Sequence, residues 1–338
     1  MRLYRDFASQ EEIDREYDVE SAVPDFPRYA DVFVTESERA RRELDAVLDV
    51  PFGPTRAEHL DIYPAAEPGA PVFVFIHGGY WRILSSKEFA LVARGPVARG
   101  ATVVVTNYAL CPAVTISEIT RQSRAAIAWI RHNIERYNGD PERVVVAGHS
   151  AGGQQVARLL ATDWEGDYAL PGDVVKAGIA ISGVFDLRPL PHSWLAPKLR
   201  LDHDTVMRES PQLDVRPCPS PLVVTVGGDE TPEFLRQSAD YLAAWRAAGN
   251  DGRDFAQPGL NHFTAIEGYC HADSPLTAMT LDLIAETAPA RAGTPAEIDE
   301  GPGEAPAEPA HRPAARPAPR FPTFGVRKPS LSFERRSR

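Results

Sequence analysis

The feature that most constrains the fold is a short apolar run over 144–147. It passes directly into Gly148-His149-Ser150-Ala151-Gly152-Gly153 and then into a helical stretch through Leu160. A Val-Val-Val-Ala run suits a strand buried on both faces of a parallel sheet. A serine between two glycines, on a turn from strand to helix, is the arrangement of a nucleophile elbow. The turn is too tight for bulky residues two positions away, hence Gly148 and Gly152, and it lifts the serine Oγ above the sheet. It also sets the serine at a helix N-terminus, whose dipole favours developing negative charge. A bare G-x-S-x-G match is common by chance, whereas one framed by strand and helix is much rarer. Ser150 is therefore the candidate nucleophile.

The same strand signature recurs over 72–76, 102–106, 177–181 and 222–226, with a shorter one at 253–256. Between these runs lie helical patterns. Over 116–137, Ile119, Ser123, Ala126, Ile127, Ile130 and Ile134 recur at three- and four-residue steps, with Ser117 as N-cap and Gly139 as stop. The pattern over 233–248 carries Phe234, Tyr241, Leu242 and Trp245 and ends at Gly249. Such alternation predicts an α/β class: a mainly parallel central sheet with helices on both faces, the α/β-hydrolase fold once the elbow is included. Residues 187–221 break the rhythm with prolines and Trp194, and are expected to form a cap or lid over the strand ends. Residues 1–290 thus read as one hydrolase domain. Beyond them, 291–338 hold nine prolines in 48 residues, with nine Lys/Arg against six Asp/Glu. That segment is expected to be a disordered Pro/Ala-rich tail, with the aromatics of 320–325 as its one docking candidate.

A second glycine motif follows the 72–76 run: His77-Gly78-Gly79-Tyr80-Trp81. Acyl transfer builds an oxyanion, and backbone N–H groups must point at it. The N–H of Gly79, with Gly78 or Tyr80 as neighbour, and the N–H of Ala151 are the expected oxyanion hole. His77 is expected to orient this loop, and His149 to be a packed neighbour of the nucleophile. The general base should follow the nucleophile and the acid in the chain. His262, in Gly259-Leu260-Asn261-His262-Phe263, fits that place, with His271 as the alternative. The acid belongs in Gly227-Gly228-Asp229-Glu230, where two adjacent carboxylates compete and either one can orient an imidazole.

Composition narrows the partners. The formal net charge of -11 disfavours nucleic acid and anionic membrane surfaces. No apolar run approaches the roughly 20 residues of a bilayer span, and the N-terminus turns polar too early for a signal peptide. Three scattered cysteines, Cys111, Cys218 and Cys270, argue for reduced thiols and a cytoplasmic location, with Cys111 on the pocket side. No phosphate loop appears, and His192, Asp202, His203 and Asp204 lack a ligand spacing, so no cofactor and no metal are expected. The expected partner is a small-molecule substrate; a homodimer is left open.

Several blocks carry a resemblance. HGGYW at 77–81, GHSAGG at 148–153, SGVFDL at 182–187, PEFLRQS at 232–238 and Asn261-His262-Phe263 resemble the kynurenine formamidase (arylformamidase) group of α/β-hydrolases. So do VPFG at 50–53 and LDIY at 60–63. The likeness runs from about Tyr4 to Ala285. It implies cleavage of an aryl formamide such as N-formylkynurenine, a step of tryptophan catabolism, through a Ser-His-acid triad and a formyl-enzyme. Registered on Pro-Glu-Phe, the resemblance places the acid on Glu230, a departure from aspartate, with Asp229 still in play. It also implies a substrate pocket walled by Tyr80, Trp81, Tyr108 and Trp194, with His77 counted among the pocket residues. The same residues suit a broad carboxylesterase on small acyl or aryl esters. A reading of another class is a ligand-binding protein that keeps the fold without catalysis; the complete set of serine, histidine, acid and glycine loops weighs against it.

Overall fold

The apolar runs become the middle of an eight-stranded sheet. In the computed structural model the strands are β1 (Val47–Pro51), β2 (His59–Tyr63), β3 (Ala70–Ile76), β4 (Thr102–Thr106), β5 (Gly139–His149), β6 (Ala177–Ile181), β7 (Leu222–Gly227) and β8 (Gly252–Gln257). The structure describes residues 2–288, so the tail expected over 291–338 lies outside the described residues. The spatial order is β1-β2-β4-β3-β5-β6-β7-β8. Strand β2 runs antiparallel to β1 and β4, and every other pairing is parallel. Every residue of β4 and β6 is buried. That is why these strands read as unbroken apolar runs.

Side chains alternate across the sheet with a period of two. Val72, Val74, Ile76, Val144 and Val146 enter the core on one face. Phe73, Phe75, Val103, Val105, Val145 and Ala147 enter the core on the other. Burying one such side chain contributes about 1.5–3 kcal/mol. A one-residue slip of β3 would exchange the two sets.

The helices are α1 (Gln10–Tyr17), α2 (Phe26–Glu43), α3 (Arg94–Ala98), α4 (Ile116–Asn133), α5 (Ala151–Leu160), α6 (Trp164–Tyr168), α7 (Ala196–Leu199), α8 (His203–Glu209), α9 (Pro232–Ala247) and α10 (Pro275–Glu286). Two expected boundaries move. The N-cap of α4 is Thr115, whose hydroxyl accepts from the N–H of Glu118 at 3.2 Å, and not Ser117. The stop after α4 and its terminal 3₁₀ turn is Asn138, at φ 62°, a conformation that asparagine tolerates. Gly139 instead opens β5, because a Cβ there would lie 2.6 Å from Ile134 and 2.7 Å from Val72.

The expected lid over 187–221 needs a larger correction. Its α8 end packs toward α4 and α5: Glu209 accepts from Thr120 Oγ1 at 2.9 Å, and its carbonyl accepts from Gln154 at 2.9 Å. Among the described residues only Trp194 of this segment reaches the main cavity; α1, α2 and their link form the roof. The N-terminal segment holds that place through buried polar contacts. The Tyr4 hydroxyl donates to Asp186 at 2.6 Å, and the Tyr17 hydroxyl donates to Glu233 at 3.0 Å.

Candidate active site

Ser150 directly follows β5 and stands at the N-cap position of α5 with φ 57° and ψ -117°, a conformation L-residues rarely adopt. Strain of this kind is held by surrounding structure at a cost of about 1–3 kcal/mol. Here the Ser150 N–H donates to the Ile181 carbonyl at 2.8 Å, and the Ser150 carbonyl accepts from Gly153 at 2.9 Å. The flanking glycines are sterically required. A Cβ on Gly148 would lie 2.2 Å from the Gly152 carbonyl oxygen, and one on Gly152 would lie 2.0 Å from that of Ile76.

His262 follows β8 and is buried, as is Glu230 after β7. Its Nδ1 meets Glu230 Oε2 at 2.6 Å. The other carboxylate oxygen accepts from Ser182 Oγ at 2.5 Å and from the N–H of Gly227 at 2.8 Å. Three donors thus converge on one carboxylate and fix its direction. Asp229 does not join them: it is exposed, and its N–H is bound to the Leu260 carbonyl at 2.9 Å. His271 is exposed too, at the end of the Thr264–Cys270 turn, and does not line the cavity.

Ser182 is the residue that sequence reasoning missed. It directly follows β6, between the strands that lead to Ser150 and Glu230, at φ 51°. The available signal was a hydroxyl closing an apolar run one strand away from the elbow.

His149 joins the two loops. Its Nε2 lies 2.8 Å from the carbonyl of His262, which can only accept, so Nε2 carries the proton. The two imidazoles lie 4.6 Å apart. Burial holds His149 well below the usual histidine pKa, and therefore neutral. Its Nδ1 is buried without a partner.

The 77–81 loop is braced from behind. His77 Nδ1 donates to the Gly78 carbonyl at 2.7 Å, and its ring stacks on Tyr108 at 4.0 Å and 7°. The Tyr108 hydroxyl donates to the His77 carbonyl at 2.9 Å. Burial pushes His77 down to about 4, so it is neutral as well. Gly79 has φ 106°, and a Cβ there would lie 2.3 Å from the Ile83 carbonyl oxygen. Gly78 packs against the elbow, since a Cβ on it would lie 3.1 Å from that of Ser150.

Ser150, His149, His262, Gly79 and Tyr80 open onto one cavity of about 510 Å³. Tyr17, Val19, Phe26 and Phe33 roof it, and Trp194 and Phe263 complete its sides. Tyr80 is anchored by its hydroxyl to the Tyr17 carbonyl at 2.7 Å and meets Trp194 edge-on at 6.0 Å. Four expected neighbours of the pocket are not on its wall. His77 and Tyr108 stack together behind the glycine loop. Trp81 is fully buried, with its Nε1 donating to Gln154 at 3.1 Å. Cys111 is buried, with its N–H bound to the Trp81 carbonyl and burial pushing its thiol up to about 11. Among the described residues no helix is long and apolar enough to cross a membrane.

A Silicibacter protein provisionally described as a thioesterase superposes with TM-score 0.71 and 31% identity, over 79% of this chain and 98% of its own. Esterase B from Lactobacillus rhamnosis shares the fold at TM-score 0.60 and 17% identity, over 80% of this chain and 95% of its own. The BD-FAE family model matches residues 60–210. With a serine elbow over this sheet, these define a hydrolase of the serine type with the α/β-hydrolase fold.

The curated relatives narrow the class. Kynurenine formamidase from Danio rerio is 30% identical over 258 residues, which is 74% of this chain and 86% of that protein. Esterase LipQ from Mycobacterium tuberculosis is 30% identical over 246 residues, 66% of this chain and 58% of that protein. The chain belongs to the kynurenine formamidase family.

Proposed function

We propose that this protein hydrolyses an aryl formamide of the N-formylkynurenine type to the free amine and formate, with Ser150, His262 and Glu230 as its triad. The observation that carries the proposal is the hydrogen-bonded line Ser182–Glu230–His262, leading to the cavity that Ser150 also lines. Glu230 holds His262 with its Nδ1 protonated, which leaves Nε2 as the base. Ser150 Oγ gives its proton to Nε2 and attacks the formyl carbon. The backbone N–H groups of Gly79 and Ala151, with Gly78 or Tyr80 beside them, receive the oxyanion; one such donor is worth about 3 kcal/mol of barrier. The imidazolium then protonates the leaving nitrogen as the C–N bond breaks. Water, deprotonated by the same imidazole, attacks the formyl ester, and Ser150 leaves with the proton as formate departs. The aromatic walls of the cavity suit an arylamine leaving group, and formyl is the smallest acyl group the elbow can hold.

The esterase relatives support a second reading, carboxylester hydrolysis by the same residues. Side-by-side kcat/KM on N-formylkynurenine and p-nitrophenyl acetate separates the two. The formamidase reading expects the formamide to be the better substrate and Ser150→Ala to lower both rates by at least about 10⁴-fold. A formamide value several orders of magnitude below the ester value overturns it.

A further inference from the structure

The arginine on the cavity wall has no part in this chemistry. Arg82 lies three residues beyond Gly79, and its N–H donates to the Gly79 carbonyl at 3.0 Å, so it rides on the oxyanion loop. Its guanidinium stands over the Trp194 ring, 5.0 Å from the centroid. That contact holds the plane of the group but uses none of its N–H donors. Arg82 Nε is buried without a hydrogen-bond partner, and among the described residues no carboxylate stands within salt-bridge distance of this side chain. The contrast within the chain is sharp: Arg94, Arg158 and Arg236, also largely shielded, each pair with carboxylates.

An unfilled guanidinium fork in a cavity is a standing demand for a planar, bidentate acceptor. The same cavity is lined by Asp14, Asp18 and Glu20, none of them paired with Lys or Arg among the described residues. Asp14 accepts from the backbone N–H of Trp194 at 2.6 Å, and Asp18 accepts from the backbone N–H of Ser21 at 3.1 Å. A ligand head bearing only negative charge is repelled by these three. A head bearing both charges can meet Arg82 with its carboxylate while its ammonium faces the acids.

We infer that Arg82, held on Trp194, is the subsite that receives the carboxylate of an α-amino-acid head on the amine side of the substrate. The inference rests on the formamidase reading for which side of the bond lies there, and it makes Arg82 a specificity-determining residue that the sequence did not single out.

The test reads binding rather than deformylation. Hydrolysis of p-nitrophenyl acetate by the full chain is inhibited with L-kynurenine and, separately, with kynuramine, which is the same arylamine without the carboxylate. The wild type is expected to bind L-kynurenine at least about tenfold more tightly, the worth of one charge-assisted contact. In Arg82→Met that ratio of inhibition constants is expected to collapse to within about twofold, and Arg82→Lys is expected to fall between, because it keeps the charge and loses the fork. A wild-type ratio near one, or a ratio unchanged in both variants, overturns the inference. A wild type that fails to deformylate N-formylkynurenine while the ratio behaves as expected sinks the formamidase reading and leaves the carboxylate subsite standing.

Discussion

Glu230 accepts from three donors, and that saturation decides which of two adjacent carboxylates serves the histidine. A carboxylate bound this way cannot swing, which an orienting acid requires. Glu230→Gln is expected to lower kcat by about 10³- to 10⁴-fold, since an amide permits the wrong imidazole tautomer. Ser182→Ala removes one of the donors and is expected to cost about tenfold in kcat. Asp229→Asn is expected to stay within about twofold, its side chain being in solvent. Steady-state kinetics on one substrate check all three; equal losses for the Asp229 and Glu230 variants would refute the assignment. At this scale Ser150 and His262 were legible because each sits in a local pattern of glycines or turn residues that only a special backbone needs. Ser182 was not, because its partner becomes a neighbour only through the order of β6 and β7 in the sheet.

Among the elements, α1 and α2 were the least expected contributors. Their local signals are present. Ser9 and Glu12 form a capping box, with the Ser9 hydroxyl accepting from the Glu12 N–H at 3.3 Å, and Pro27 stands in the first turn of α2. Nothing local says which end of a distant sheet such helices will cover. That is settled by long-range polar partners, chiefly Tyr17 with Glu233 and Gln237, and Thr231 Oγ1 with the Glu16 carbonyl at 2.7 Å. The prolines of 187–221 marked an irregular segment correctly, but not its place beside α4 and α5. Tyr17→Phe leaves the ring packed against Phe234 and strips a buried carboxylate and amide of their shared partner. It is expected to cost about 1–3 kcal/mol of stability in urea unfolding. KM for an aryl substrate should rise with little change in kcat, because the roof loosens while the triad stays in place. A kcat loss of the size expected for Glu230→Gln would mean that α1 does more than roof the cavity.

For the molecule as a whole, the parallel centre of the sheet was legible because strands buried on both faces declare themselves as apolar runs. The antiparallel β1 and the exposed edge strand β8 carry much weaker patterns. Two buried, neutral imidazoles, His77 behind the glycine loop and His149 beside Ser150, set a global pH response. His77 has an ordinary value of 6.5 and a folded value of about 4, lowered by desolvation. Above 6.5 neither the folded nor the unfolded chain binds the proton. Between 6.5 and 4 only the unfolded chain does, so stability falls as pH falls through that window and levels off below it. From His77 the unfolding free energy is expected to be about 2 kcal/mol lower at pH 5 than at pH 7, and His149 acts in the same direction. Urea titrations at the two values check this, and His77→Gln should flatten the difference; a wild type as stable at pH 5 as at pH 7 contradicts it.

The covering of the cavity is written in the first forty-three residues, while the groups proposed to react stand at the ends of strands encoded much later. The roof over the cavity and the groups proposed to break the bond are therefore encoded apart in this chain, while the carboxylate subsite proposed at Arg82 stays with the latter. Exchanging the leading segment for that of a relative offers a way to change the guest without disturbing the chemistry, provided the tyrosines that moor it travel along.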